Sequence, residues 1–226
     1  MKQFDALIAY SGRGAQDYAA LGFPARRIYL APNAVSPRPA GNPPKRPASF
    51  QGQPTVIYVG RLQARKRLDS LIRALAGLPN PPQARLQVVG EGAARADLEQ
   101  LAKQIYPATE FHGAQYGTAL DALFDEADLF VLPGSGGLAV QQAMAHALPV
   151  IVAEGDGTQA DMVSPQNGWL LPPGDEAALG RALKEAVSDA SRLRRMGAES
   201  YILVKEKFNL ETMVEVFVRA LNEACP

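Results

Sequence analysis

A chain of 226 residues, 47% hydrophobic and 20% charged, can bury a substantial core and has ordinary globular composition. Lys+Arg and Asp+Glu balance at 23 each, which excludes a broadly basic nucleic-acid surface but leaves room for a local basic pocket. The single cysteine, Cys225, rules out an intrachain disulfide framework, and a reducing, cytoplasmic setting fits. No apolar run reaches the about 20 residues of a membrane span and no signal-peptide h-region opens the chain, so a soluble protein is expected.

Residues 1–35 read as a strand (Ala6 to Ala9), a helix (Gly12 to Leu21) and a second strand (Ile28 to Leu30). A unit of about 35 residues cannot bury a core of its own, so this segment reads as the last piece of a domain otherwise missing. Residues 36–54 follow, with Pro37, Pro39, Pro43, Pro44, Pro47 and Pro54 among Gly, Asn and Lys. Proline at that density forbids ladders and helix interiors and predicts a linker or extended surface segment. From residue 55 to 208 a regular rhythm sets in. Thr55 to Val59 and Leu86 to Val89 read as strands, followed by helical stripes Leu68/Leu71/Ile72/Leu75 and Leu98/Leu101/Ile105. A short strand at Phe111 and a stripe at Leu120, Leu123 and Phe124 come next. Leu129 to Leu132, a helix over about Leu138 to Ala147, Val150 to Ala153 and Trp169 to Leu171 complete the series. Short apolar runs alternating with amphipathic helices predict an α/β, Rossmann-like parallel sheet with helices on both faces. The tail carries helical stripes at Leu179/Leu183/Val187 and, within residues 209–226, at Met213/Phe217/Val218/Leu221.

The stretch from Leu129 to Val152 organises the chemistry. A buried strand, a turn with Gly134, Gly136 and Gly137, and a helix start place free backbone N–H groups at the carboxyl end of a strand. Such a place binds anions, and open α/β sheets hold their ligands at this edge, so a diphosphate is expected there. Gly60 to Lys66 leaves the first strand of the series at the same edge, which brings Arg61 and Lys66 towards the turn. Lys offers a point charge and Arg a planar fork; the competing reading is a solvated basic loop, because Arg65 and Arg67 cannot all point inward. Gly90-Glu91-Gly92 reads as a tight turn in preference to a ligand contact. Thr158, after Gly155-Asp156-Gly157, either meets a sugar or phosphate or caps the helix that follows. His112 and His146 have no companion at metal-ligand spacing, so no metal site is expected, and a helix C-terminus accounts for His146. Neither a nucleophile-elbow nor a P-loop pattern occurs, which removes hydrolase triads and P-loop NTPases.

Several blocks taken together resemble the donor-binding half of the retaining GT-B glycosyltransferases of the group 1, or GT4, type. They are Val59-Gly-Arg-Leu with Lys66, Val89-Gly-Glu-Gly, Phe111-His-Gly113, Ala127 to Pro133, Gln142-Ala-Met-Ala145, Leu148-Pro-Val150 and Asn167-Gly168. The resemblance runs from about residue 55 to 180. Asp5 to Ser11 and Pro32-Asn33 look like the family's entry from its first domain. It implies that residues 55–208 bind a nucleoside-diphosphate sugar, of UDP or GDP type, and that residues 209–226 form a helix crossing back to the first domain. Arg61 and Lys66 would contact the diphosphate. The backbone of Gly137, Leu138 and Ala139, with Gly60, Gly134 and Gly136 around it, would cradle it. The loop from His112 through Gly113 to Tyr116 would hold the base, and Gln142 the ribose. The implied reaction passes a hexosyl unit to a saccharide or lipid-linked acceptor, with retention and without a metal or other cofactor. The acceptor would sit on the missing first domain, so the chain by itself would not turn over. Location would be cytoplasmic, with peripheral association at the inner membrane face allowed, and no nucleic-acid partner is implied.

Two departures stand out. The family's Glu-x7-Glu pair is Gly134 and Gln142, and Gln142 accepts hydrogen bonds less strongly than a carboxylate. The sugar would then be held by backbone groups of Gly134 to Gly137, or the sugar specificity differs, or binding has decayed. The loss of both glutamates also suits a second reading, a degenerate GT-B module that binds nucleotide or a partner without catalysis. Retention of Arg61, Lys66 and the glycine turn opposes it. A third reading, a sugar-nucleotide epimerase, lacks that family's acidic and histidine pattern.

Overall fold

The computed structural model describes residues 4–79 and 84–224. Cys225 and the first three residues lie outside the described part.

Strands β1 (Leu7–Ala9) and β2 (Ile28–Leu30) pair in parallel around helix α1 (Gly12–Ala20), whose N-cap Ser11 accepts the Gly14 N–H at 3.1 Å. The second sheet contains β3 (Thr55–Val59), β4 (Arg85–Val89), β5 (Thr109–Gly113), β6 (Leu129–Leu132), β7 (Val150–Ala153) and β8 (Gly168–Leu171). All its neighbours are parallel, in the order β5-β4-β3-β6-β7-β8. The crossovers run through α2 (Leu68–Ala76), α3 (Arg95–Ile105), α4 (Thr118–Glu126), α5 (Ala139–Ala145) and α6 (Thr158–Met162). Helices α7 (Glu176–Ser188), α8 (Ala190–Glu206) and α9 (Leu210–Ala224) follow β8.

Alternate residues of a strand face opposite sides, yet Val56 and Ile57, Phe130 and Val131, and Ile151 and Val152 are all fully buried. Both faces of the sheet are therefore covered, which is why its strands read as unbroken apolar runs. Asp175 and Asp189 start α7 and α8 by accepting the N–H groups of Ala178 and Arg192, each at 2.8 Å. The sequence reading omits α8, whose buried stripe is Leu193, Met196, Gly197, Ser200, Tyr201 and Val204. Its helical spacing is present, but Gly197 and Ser200 dilute the apolar signal. The small residues serve close packing: a Cβ on Gly197 would stand 2.1 Å from the Ala147 carbonyl oxygen.

The proline-rich segment forms no regular element, but it is a fastened strap. Tyr201 and Lys205 donate to the carbonyls of Ala40 and Gly41 at 2.5 and 2.6 Å. Arg194 donates to that of Pro47 at 2.7 Å. Arg46 reaches the carbonyls of Phe124, Asp125, Ala127 and His146, so it closes the carboxyl ends of α4 and α5 together. Helix α9 returns to the small sheet, where the Tyr29 hydroxyl donates to Glu223 at 2.6 Å and Arg219 lies over the Tyr29 ring.

Candidate functional site

The strand order reverses direction between β3 and β6, and the loops leaving those two strands at their carboxyl ends meet. In open parallel sheets this switch point is where ligands enter. The β3 loop contains a short 3-10 turn, Ala64–Lys66, and the β6 loop runs from Pro133 to Leu138. Gly134 is the contact between them. A Cβ there would lie 2.3 Å from the Arg65 carbonyl oxygen and 2.4 Å from the Lys66 carbonyl carbon. The same Arg65 oxygen accepts the Ser135 N–H at 3.2 Å. Gly134, expected to offer its backbone to a ligand, is instead buried under the β3 loop. The accessible part of the turn is Ser135 to Leu138.

Lys66 is 7% exposed and donates to the carbonyls of Ser135 and Gly136 at 2.6 and 2.5 Å. Burial lowers its ammonium pKa, the nearby charges of Arg65 and Arg61 lower it further, and Asp156 works in the opposite direction. Lys66 thus seats one cation on the glycine turn, with the charges of Arg65 and Arg61 acting on it. Arg65 also donates to the Ser135 hydroxyl at 3.3 Å. Arg61 is exposed, and its carbonyl is held by the Tyr58 hydroxyl at 3.0 Å. Burial pushes that phenol far above the tyrosine range, so it remains a neutral donor. Arg67 turns away to Ser70 and Glu176. The reading that not every cation points inward is correct for Arg67. Arg65 is the functional candidate that the sequence reading passed over, because only the fold brings it to Ser135 of the glycine turn.

The other expected positions spread over the same edge. Gly60 and Arg61 share a groove of about 430 Å³ with Glu91 and with Ala114 to Tyr116, the loop after Gly113. Gly90, read as part of a tight turn, packs against the β3 loop, where a Cβ on it would stand 1.9 Å from the Gly60 oxygen, and it also lines this groove. Gly137 and Leu138 lead into α5, and among the described bonds no protein group accepts the N–H of Gly137, Leu138 or Ala139. Gln142 is half-buried on that helix, while its neighbour Gln141 is fully buried and spoken for. Gln141 accepts from Val35 N–H at 2.6 Å and donates to the Phe208 carbonyl, which ties α5 to both chain crossings. Thr158 does not cap α6, whose N-cap is Gly157; its hydroxyl donates to Asp156. His146 caps the end of α5, lies between Asp121 and Asp125 at 3.2 and 2.8 Å, and stacks on Phe124. Among the described residues, no three His, Cys, Asp or Glu side chains group to hold a metal ion.

Six parallel strands in this order, flanked by helices and with a cation-bearing glycine turn at the switch point, define a Rossmann-like α/β domain. A family model described as "Glycosyl transferases group 1" matches residues 42–202, more than half the chain, and the chain belongs to that family. A GDP-mannose-dependent alpha-mannosyltransferase of Mycobacterium tuberculosis is 36% identical over 149 residues, covering 64% of this chain and 37% of the relative. Sucrose-phosphate synthase from Thermosynechococcus elongatus superposes with a TM-score of 0.76 at 25% identity, over 97% of this chain and 58% of its own. Anabaena HepE, solved in complex with UDP, superposes with a TM-score of 0.78 at 18% identity, over 96% of this chain and 64% of its own, a likeness of fold. The chain thus spans less than two thirds of each of these proteins. No helix among the described residues is long and apolar enough to cross a membrane.

Proposed function

We propose that this chain is the donor-binding part of a glycosyltransferase, and that the turn from Ser135 to Ala139 receives the diphosphate of a UDP- or GDP-linked hexose. The observation that carries this reading is that Lys66 and Arg65 reach that turn, with the charge of Arg61 acting on Lys66. A dianion there gains charge-assisted hydrogen bonds from Lys66 and one or both arginines, and meets the free N–H groups of Gly137 to Ala139. Departure of the nucleoside diphosphate builds negative charge at the same place, so the cations assist the step without a metal. The groove between Arg61 and Tyr116 accommodates the base, and Gln142 stands one helical turn away for the ribose. On this reading residues 1–35 complete a first domain that carries the acceptor, residues 36–54 connect it, and residues 209–226 return to it. Transfer proceeds with retention, to a saccharide or lipid-linked acceptor, in the cytoplasm or at the inner membrane face, and the chain by itself does not turn over.

Calorimetric titration with UDP, GDP and ADP tests the site. At least one ligand is expected to bind, and Lys66→Ala to weaken it about 100-fold, or about 2.7 kcal/mol. Equal binding to wild type and K66A would remove the phosphate assignment. A second reading, a nucleotide-binding module without catalysis, draws support from Gly134, where no glutamate fits beneath the β3 loop. Turnover of a nucleotide sugar by the chain joined to a first domain would exclude it.

A further inference from the structure

The loop after β7 brings a carboxylate to the glycine turn. Gly155 lies against the turn, since a Cβ on it would stand 3.6 Å from the Gly136 nitrogen. Its N–H is held at 3.1 Å by Oε1 of Gln159, a fully buried side chain, so the loop is fixed. Asp156 comes next. Thr158 donates to its Oδ1 from the hydroxyl at 2.6 Å and from the backbone N–H at 3.1 Å. A carboxylate has about four lone-pair sites over two oxygens, so accepting capacity remains. Asp156 and Thr158 line a cavity of about 140 Å³ with Tyr10, Asn33 and Gly137. Tyr10 and Asp156 also border a second groove, of about 420 Å³, against α1.

We propose that Asp156, positioned by Thr158, accepts hydrogen bonds from the hydroxyls of the transferred sugar, a role that no side chain at Gly134 can fill. The proposal rests on the diphosphate reading of the turn. A sugar joined to the distal phosphate begins one bond beyond it, beside Gly137, where the cavity walls present a phenol, an amide, a hydroxyl and a carboxylate. A carboxylate can accept from two neighbouring hydroxyls, and charged acceptors make the stronger hydrogen bonds. Burial pushes the Asp156 carboxyl up, but the bonds from Thr158 and Gln159 outweigh it and hold it below the ordinary value, so the acceptor is ionised. Its charge also acts on Lys66, which places it within electrostatic reach of the diphosphate. Asp156 therefore attracts sugar hydroxyls and repels a bare diphosphate, and its removal shifts the two ligands in opposite directions.

Calorimetry on the 226-residue chain with UDP, GDP, UDP-glucose and GDP-mannose tests this against Asp156→Asn and Thr158→Val. D156N is expected to weaken the nucleotide sugar that binds by about tenfold and to strengthen its parent diphosphate by about twofold. T158V shifts both in the same directions by less, and carries the test if D156N fails to fold. Equal factors for diphosphate and nucleotide sugar, or no change in either, would overturn the Asp156 role while leaving the phosphate site standing. A wild-type chain that binds none of the four would overturn the site and this assignment with it.

Discussion

The two ends of β6 treat buried charge in opposite ways. At the amino end, Asp128 accepts from the Thr55 N–H at 2.8 Å and pairs with Arg194 at 2.7 Å, both side chains largely buried. Arg194 also lies over Phe50, and Arg46 beside it is spent on four carbonyls. At the carboxyl end, Lys66 is just as buried but binds two carbonyls, and the charges of Arg65 and Arg61 act on it against the single carboxylate of Asp156. A buried charge costs free energy unless it is paired. At the amino end a buried carboxylate offsets one guanidinium, Arg194, within the chain, and the pair acts as scaffold. The carboxyl end leaves positive charge in excess, and an incoming anion is the group that would balance it.

The largest expected effect is at the scaffold end. Asp128→Ala strands the Arg194 guanidinium and the Thr55 N–H, and should cost about 3 kcal/mol in urea unfolding, with diphosphate affinity unchanged. Comparable losses in both would erase the distinction between the two ends. Gly134→Ala joins the ends of the argument, because its methyl group must displace the β3 loop. We expect about 2 kcal/mol of destabilisation together with a clear loss of diphosphate affinity, measured on one sample. Normal affinity in a destabilised G134A would mean that the loop contact does not place Lys66.

Proton linkage gives a subtler contrast. The folded-state pKa of Lys66 lies below the ordinary lysine value of 10.5. Between the two values the unfolded chain binds more protons, so this group's contribution to stability rises with pH across that window and is constant below it. A bound diphosphate raises the folded pKa again, so binding should take up protons in the same alkaline window. Calorimetry in buffers of different ionisation enthalpy reads that uptake, and K66A should abolish it. The smallest effect belongs to Arg67→Ala. Its pair with Glu176 is exposed and worth about 0.5 kcal/mol or less, and diphosphate affinity should not move although Lys66 is adjacent in sequence. A large affinity loss in R67A would mean that position in the loop does not separate the cations.

Short apolar runs bounded by glycine and proline located the strands of the large sheet, Leu129–Leu132 and Val150–Ala153 to the residue, because a strand buried on both faces admits only apolar side chains. The same local pattern placed Arg61 and Lys66 at a strand's carboxyl end and pointed to the turn as a place to look for an anion. Helix α8 escaped because Gly197 is there for close approach and Ser200 is a buried polar residue, neither of which apolarity records. Tertiary structure alone decided which neighbours meet. Lys66 and Arg67 are consecutive, yet the 3-10 turn and the left-handed backbone of Arg67 aim them at different partners. Gly134 was legible as a missing side chain, but its reason, the Arg65 carbonyl and Lys66 backbone standing where a Cβ would go, comes from a loop about 70 residues away. Asp156 was one loop residue among several until the parallel sheet set β7 beside β6 and brought it to the turn. Sequence determines such sites as far as local backbone periodicity reaches; contacts across the sheet edge depend on strand order, which no single segment encodes.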